Sequence, residues 1–367
     1  MDRAAEVAMT GLAEASEIVM VRLSRKIGAS LLALAALAAS SVAAQAQQPR
    51  PQRPTGSAAA PAASLPTRTA IEHTTQLATE GASQQLCESV AGRVFVRHDL
   101  GTACIAYYAT SGQAQFRPAV VYFEGDVPAG ELLKPNFTRD YLANMRSVFQ
   151  NLASRSSVRF VFIARPGLFG SSGNHAARRS AAEMLSMNAA LDAVKARLRL
   201  TDIVLAGQSG GSTVAAALLT LGRRDVTCAI LGSGLLSVVE IEHAHRVREH
   251  LPTIRPALLQ VLLFDPTDRL DWIERLAERR IFVLGDPTDT RTPFPQQRRF
   301  AEQVRALGHH ATAIEVTGQG ELMHGVAHHT LPAAAQCARG ADDAAIRQTV
   351  APRRRPVAPT VTARVDR

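Results

Sequence analysis

A serine flanked by glycines two positions away on each side is the strongest chemical signal in this sequence. The motif Gly-Gln-Ser-Gly-Gly at 207–211 follows the apolar run at 203–206 and precedes a stretch of small apolar residues. A strand that turns sharply into a helix would expose the hydroxyl of Ser209, and small flanking residues let strand and helix approach closely. The helix would also point backbone N–H groups, including that of Gly210, at a nearby negative oxygen. The pattern predicts a nucleophilic serine.

A nucleophilic serine needs a base, and the base needs an acid that orients it. His324 lies in a glycine-flanked loop after the last apolar run and suits the role of base. Asp286 and Asp289 follow the apolar run at 281–284, at the edge where open α/β sheets place their sites. The residues therefore predict a Ser-His-Asp arrangement, with both aspartates open as the acid.

These motifs, in the order serine, aspartate, histidine, make residues 90–340 resemble the α/β-hydrolase family. Its members often carry a Gly-x-x-Asp-x-x-x-Pro-like loop after this strand, and the spacing here is one residue longer. The resemblance implies Ser209 as nucleophile, His324 as base and Asp289, four residues before Pro293, as acid, with Asp286 as the alternative. It implies neither a metal ion nor an organic cofactor.

The resemblance also implies an oxyanion hole built from the N–H of Gly210 and an N–H after the apolar run at 119–123. The following loop reads Phe-Glu-Gly-Asp at 123–126, where the family commonly carries His-Gly. Aligning the glycine assigns the second donor to the backbone N–H of Asp126. A carboxylate there would repel an oxyanion unless it turns away. Glu124 remains open between bracing this loop and recognising a cationic group of the substrate.

Other residues with chemical potential have simpler interpretations. His324 and His328 are four apart and could share a metal-binding helix face, but no His-Glu-x-x-His or third-ligand pattern accompanies them. The loop 165–175 resembles a family loop that shapes the floor of the pocket. Ser171 and Ser172 in that loop lack a strand-to-helix elbow and are not expected to be nucleophiles.

Apolar runs that alternate with helical stretches must position these residues. The middle runs are continuously apolar, as in strands of a parallel sheet that are buried on both faces. We therefore predict a mostly parallel, doubly wound sheet of about eight strands with flanking helices, whose first two strands form an antiparallel hairpin. The predicted strands are 93–97, 103–109, 119–123, 159–164, 203–206, 228–231, 281–284 and 313–316. The predicted helices are 176–199, 209–222, 295–307 and 326–338.

The stretch Val238–Glu278 is long enough to form a small helical cap over the site, or it is an ordinary crossover helix with an extended loop. Its apolar run at 258–264 and Trp272 would give a cap an apolar wall facing the acyl pocket. The expected consequence of such a wall is a kcat/KM that rises over the first few acyl carbons and then falls as the pocket fills.

The N-terminal segment 1–46 has the pattern of an export signal. Basic residues at 22–26 precede an apolar run at 27–39 and an Ala-Gln-Ala sequence at 44–46 suited to cleavage. The apolar run is too short to span a bilayer, which takes ~20 residues; an uncleaved anchor is the alternative. Met20 immediately precedes this signal and is a candidate for the true initiator.

The remaining chain divides into a Pro/Ala-rich linker at 47–68, a catalytic domain at 69–350 and a basic tail at 351–367. The net charge is +9, of which the linker contributes +3, the tail +4 and the catalytic domain +2. A nucleic-acid enzyme would carry its positive charge on the folded part. The expected partner is a small acyl substrate rather than a nucleic acid, with no stable membrane insertion after signal cleavage.

Four cysteines in the predicted domain fit an exported protein, because disulfides persist in oxidising compartments. Cys87 and Cys104 flank a short strand-turn-strand pattern, which favours that pair and leaves Cys228 with Cys337. Four buried thiols are the alternative.

These features together predict a periplasmic or extracellular serine hydrolase that cleaves carboxylic esters through an acyl-enzyme. A prolyl-oligopeptidase-like peptidase or aminoacyl hydrolase is one alternative, although no propeller domain precedes the core. A catalytically silent hydrolase fold used for binding is the other, which the complete Ser/Asp/His set disfavours.

Overall fold

The computed structural model describes residues 83–111 and 116–351. The predicted export signal at 1–46, the linker at 47–68 and the basic tail beyond Ala351 lie outside the described residues. The elements below belong to the described ranges.

Eight strands and ten α-helices make up this part of the chain. The strands are β1 Arg93–His98, β2 Gly101–Ala109, β3 Phe116–Phe123, β4 Val158–Ile163, β5 Ile203–Gln208, β6 Val226–Gly232, β7 Arg280–Gly285 and β8 His310–Glu315. The helices are α1 Gln84–Glu88, α2 Ala129–Leu132, α3 Phe137–Ser156, α4 Ala181–Leu198, α5 Gly210–Thr220, α6 Val238–Arg248, α7 Pro256–Leu262, α8 Phe294–Ala306, α9 Ala327–Ala338 and α10 Asp343–Val350. Short 3-10 helices span His175–Ala177 and Pro266–Trp272.

The strands form one open sheet in the order β1-β2-β4-β3-β5-β6-β7-β8. Strand β2 pairs antiparallel with β1 and β4, and the pairs from β4 to β8 are parallel. The predicted mostly parallel sheet of eight strands, with an antiparallel hairpin at one edge, is confirmed.

Helices cover both faces of the sheet. One face packs against α4, α5 and α8, with Val121 and Leu205 among the buried strand residues. The other face packs against α3, α9 and α10, with Val120 and Val204 among them. Successive strand residues point to opposite faces, so both are buried, which explains why the middle strands read as continuous apolar runs.

Helix α3, which connects β3 to β4, was not predicted from the sequence. Only three of its residues, Leu142, Met145 and Phe149, are buried. Their spacing of three and four residues is continued by Phe137, Tyr141 and Leu152, which pack partly buried beside them. The helix is therefore amphipathic, and the period of its apolar residues is a local signal that could have predicted it.

Two disulfides join the elements in the favoured pairing. Cys87 on α1 is bonded to Cys104 on β2, and Cys228 on β6 is bonded to Cys337 on α9. The second bridge ties the helix that follows the His324 loop to a central strand. The disulfide prediction is confirmed.

The stretch Val238–Glu278 contains α6, α7 and the 3-10 helix Pro266–Trp272. Every helix in the described part of the chain is either too short or too polar to span a bilayer.

Candidate active site

Ser209 lies in the turn between β5 and α5, in a backbone conformation that side chains rarely adopt. Its φ is 54° and its ψ is −123°. The two glycines of the motif permit this turn, since a Cβ on Gly207 would overlap the backbone of Gly211, and one on Gly211 would overlap the carbonyl of Phe123. A strained serine at the carboxyl end of a central strand has the backbone geometry of a nucleophile elbow. The chain has the α/β-hydrolase fold.

Asp289 and His324 are brought together at the same edge of the sheet. The Nδ1 atom of His324 lies 2.8 Å from Oδ2 of Asp289, whose side chain is fully buried. The same carboxylate accepts hydrogen bonds from the backbone N–H of Arg291 and from the N–H and hydroxyl of Thr292. Burial by itself raises the pKa of Asp289. The hydrogen bond to His324, the charge of His324 and the hydrogen bonds from Thr292 lower it by more, so the pKa lies below its usual value. Asp289 is thereby held as a carboxylate.

This contact determines which nitrogen of His324 can act as a base. An ionised carboxylate only accepts hydrogen bonds, so Nδ1 carries the proton and Nε2 carries the lone pair. The Nε2 atom is buried and has no hydrogen-bond partner within the described part of the chain. Ser209 and His324 are not joined by a hydrogen bond. The structure thus pairs the acid with the histidine and leaves Nε2 free.

Asp286 has different partners from Asp289. Its carboxylate accepts from the N–H and hydroxyl of Thr288 and from the N–H of Gly318, at 2.6–2.7 Å. Gly318 opens the loop that carries His324. Asp286 therefore connects the loop after β7 to the histidine loop without contacting the imidazole.

Gln208, the residue between the first glycine and the serine, was not singled out from the sequence. Its side-chain amide donates to the carbonyl of His324 at 2.8 Å and accepts from the N–H of Val326 at 3.0 Å. The residue next to the serine thus holds the backbone on both sides of Gly325. No local pattern identifies such a role, because the partner lies more than a hundred residues away.

The loop after β3 lies directly beside the elbow. A Cβ on Gly125 would lie 3.1 Å from Cβ of Ser209, and one on Gly210 would overlap the carboxylate of Asp126. Neither the N–H of Asp126 nor that of Gly210 donates to an acceptor among the residues described. Two free backbone donors therefore lie close to the serine.

The carboxylate of Asp126 turns towards a cluster of arginines. Arg165 Nη1 lies 2.8 Å from Oδ1, Arg178 Nε lies 3.2 Å from Oδ2, and Arg179 also pairs with Oδ2. Burial raises the pKa of Asp126, but the three guanidinium groups, Arg165 first, bring it far below its usual value. The negative charge near the N–H groups is therefore neutralised by neighbouring cations.

Glu124 braces the same loop. Its carboxylate accepts from the hydroxyls of Tyr141 and Tyr122 and from the N–H of Gly125. Burial raises its pKa above the usual value despite these donors. Of the two roles left open for Glu124, these contacts favour the bracing one.

His175 is a second buried support that the sequence did not reveal. Its Nε2 accepts from the N–H of Val127 at 3.3 Å. Burial, followed by the charge of Arg165, lowers the pKa of His175 to about 4. A neutral imidazole is therefore the acceptor that fixes the loop one residue beyond Asp126.

Ser171 and Ser172, the two serines of the loop 165–175, are bound to backbone groups of the core. The Ser171 hydroxyl donates to the carbonyl of Ala164 and accepts from a β2 amide, and the Ser172 hydroxyl accepts from the N–H of Cys104. Neither has the geometry of an elbow. In the described ranges no group of three or more His, Cys, Asp or Glu side chains could hold a metal ion.

A cavity of about 780 Å³ opens in front of Ser209. Helix α6 and the chain just after it form one wall, with Ile241, Glu242 and Leu251 among the lining residues. The expected apolar wall from 258–264 and Trp272 is wrong. Within Val238–Glu278 the residues that line the cavity end at Leu251, residues of α7 such as Val261 are exposed, and Trp272 lines a different cavity.

Comparisons with known proteins give likeness in structure but not in sequence. No protein-family model matches the chain, and no curated protein matches it. An esterase from Pyrococcus furiosus is 14% identical with a TM-score of 0.44, covering 61% of this chain and 80% of its own. Est1E from Butyrivibrio proteoclasticus, solved with ferulic acid, is 15% identical with a TM-score of 0.45, covering 67% and 96%. An acylaminoacyl peptidase from Pyrococcus horikoshii is 13% identical with a TM-score of 0.45, covering 61% and 36%.

Proposed function

We propose that this protein is an exported serine hydrolase that cleaves the carboxylic ester of a small-molecule substrate. Ser209 is the nucleophile, His324 the general base and acid, and Asp289 the residue that orients the imidazole. The backbone N–H groups of Gly210 and Asp126 form the oxyanion hole. The hydrogen bond between Asp289 and His324, beside a strained elbow serine, is the observation that carries the proposal.

The first half of the reaction forms an acyl-enzyme. Nε2 of His324 takes the proton of the Ser209 hydroxyl as Oγ attacks the ester carbon. For this step Nε2 must come to within about 3 Å of Oγ, a contact that often tightens only when substrate binds. The ester bond then breaks, and the imidazolium returns the proton to the departing alkoxide, which leaves as the alcohol.

The second half repeats these transfers with water. His324 takes a proton from water, the hydroxide attacks the acyl carbon, and the proton goes back to Oγ of Ser209 as the acid leaves. Asp289 stays ionised throughout and stabilises the imidazolium in both halves.

Charge that develops on the carbonyl oxygen needs donors that are already in place. The N–H of Gly210 lies at the start of α5, where the helix dipole adds positive potential. The N–H of Asp126 belongs to a loop braced by Glu124 and His175. Removal of one such donor typically costs about 10²–10³-fold in kcat.

Kinetics on 4-nitrophenyl acetate test the proposal. Ser209→Ala should lower kcat/KM by about 10³-fold or more, because the covalent route is lost. Ser172→Ala is the matched control, since that hydroxyl only accepts a hydrogen bond from β2, and it should retain activity within about tenfold. Wild-type protein without activity on any ester would support a silent binding fold, and faster cleavage of aminoacyl amides than of esters would support a peptidase.

A further inference from the structure

The cavity in front of Ser209 has more positive than negative side chains. Five arginines but only three carboxylates line it, namely Arg178, Arg179, Arg246, Arg248 and Arg291 against Asp126, Glu242 and Glu249. A partly enclosed site whose lining has a net charge attracts ligands of the opposite sign.

All three carboxylates of the cavity are already paired with arginines. Asp126 is shared by the guanidinium groups described above. Glu242 lies 2.9 Å from Arg246 Nε, and Glu249 lies 3.1 Å from Arg248 Nε. These acids therefore cannot neutralise a further cation, and a cationic substrate would find no free carboxylate here.

Arg291 differs from the other four arginines. Its guanidinium is exposed and has no hydrogen-bond or ion-pair partner among the described residues, although it lines the cavity. Its backbone is nevertheless fixed, because its N–H donates to Oδ1 of Asp289 at 2.8 Å. The residue that carries this free guanidinium is thus anchored through its backbone N–H to the carboxylate that orients His324.

The cavity also has apolar wall residues between its charged groups. Val127, Pro128 and Leu235 line it together with Ile241. These side chains can contact a short carbon chain that separates a scissile ester from a charged end. The lining therefore suits a molecule with one apolar segment and one anionic group.

We propose that the ester this enzyme hydrolyses carries a carboxylate, and that Arg291 binds it. The planar guanidinium matches a carboxylate with two parallel hydrogen bonds. The inference rests on the proposed esterase function and names its substrate class. The carboxylate belongs either to the acyl part or to the alcohol part of the substrate.

Two matched pairs of esters separate those sources. Mono-4-nitrophenyl glutarate against 4-nitrophenyl valerate places the charge in the acyl part. The ester 4-acetoxybenzoate against its methyl ester places the charge in the alcohol part. The anionic member of one pair should have the higher kcat/KM by about tenfold, the size expected of a hydrogen bond to a charged group. The advantage should shrink as salt is added.

Arg291→Gln should bring that ratio of kcat/KM values close to one, whereas Arg291→Lys should retain part of it by keeping the charge. The matched control is Arg298→Gln on α8, an exposed arginine that does not line the cavity, and it should leave the ratio unchanged. Circular dichroism checks that each variant is folded.

The outcomes distinguish the two proposals. Neutral esters cleaved as fast as or faster than both anionic partners, or a preference that survives in Arg291→Gln, would overturn the anion inference and leave the esterase function intact. Wild-type protein that cleaves none of the four esters would overturn both.

Discussion

Two aspartates, Asp286 and Asp289, follow β7, and their different hydrogen-bond partners indicate different roles. Asp289 fixes the tautomer of His324, whereas Asp286 holds the start of the histidine loop through Gly318. Asp289→Asn should therefore lower kcat by about 10⁴-fold, because an amide can donate to Nδ1 and favour the wrong tautomer. Asp286→Asn should lower kcat much less, because the remaining amide oxygen of the asparagine can still accept a hydrogen bond from the loop. Steady-state kinetics of the two variants decide the assignment, and the opposite order would transfer the role to Asp286.

His175 gives a residue-scale prediction about pH. Its pKa is about 4 in the folded protein, against an ordinary value of 6.5. Well above pH 6.5 neither the folded nor the unfolded histidine is protonated, and proton binding by this group does not change the free energy of unfolding. Between pH 6.5 and 4 the unfolded chain binds a proton that the folded chain does not, so the free energy of unfolding falls as the pH falls.

The variant His175→Gln isolates this effect, because glutamine can still accept from Val127 without binding a proton. Urea unfolding at pH 7 and pH 5 should show a smaller loss of stability in the variant than in the wild type. Equal losses in both proteins would show that His175 does not titrate in this range on unfolding.

At the scale of elements, the site depends on how the β5–α5 elbow is joined to the loop before α9. Gln208 makes that connection through two backbone hydrogen bonds. Gln208→Leu should lower kcat/KM by about tenfold to a hundredfold, because a histidine displaced by about an ångström is a poor base. Glu302→Leu, an exposed position on α8, is a control for an added leucine side chain and should leave kcat/KM within about twofold. Unchanged turnover in Gln208→Leu would mean that Asp289 alone positions the imidazole.

The same elements show what local sequence can and cannot predict. The elbow and the buried strands could be predicted because their signals are local: glycines around a serine, and continuous apolar runs. Helix α3 was missed although its apolar residues recur at helical spacing, with Leu142, Met145 and Phe149 buried and Phe137, Tyr141 and Leu152 beside them. The roles of Gln208 and His175 depend on partners far along the chain, and the charged cavity wall depends on which face α6 presents. Such relations arise only when the sheet brings distant segments together.

At the scale of the whole molecule, the two disulfides close loops of very different length. The bridge between Cys87 and Cys104 spans 17 residues, and the bridge between Cys228 and Cys337 spans 109. Removing the bridge that closes the longer loop should lower the free energy of unfolding by about 1–2 kcal/mol more than removing the other, because it restricts the unfolded chain more strongly. Comparing the double variants Cys228→Ser/Cys337→Ser and Cys87→Ser/Cys104→Ser by urea unfolding tests this. A larger loss in the second would show that native contacts around α1 outweigh loop entropy.

Export of the protein would leave two marks on the mature chain, a new N-terminus and oxidised cysteines. We expect the mature chain to begin near Gln47 and to contain both disulfides, since an oxidising compartment is where such bonds persist. Intact mass of protein recovered from periplasm or medium, before and after reduction and alkylation, measures both. An uncleaved N-terminus would contradict the signal, and four alkylatable thiols in the unreduced, denatured protein would contradict oxidation.

Covalent labelling with a fluorophosphonate tests most directly whether Ser209 is an activated nucleophile, because the reagent reacts with an activated serine and not with an ordinary one. We expect stoichiometric labelling of the folded wild-type protein, with the modification mapped by peptide mass spectrometry to Ser209. We also expect no labelling in Ser209→Ala and strongly slowed labelling in Asp289→Asn. Absence of labelling in active, folded wild-type protein, or labelling that persists in Ser209→Ala, would contradict the assignment of Ser209 as nucleophile.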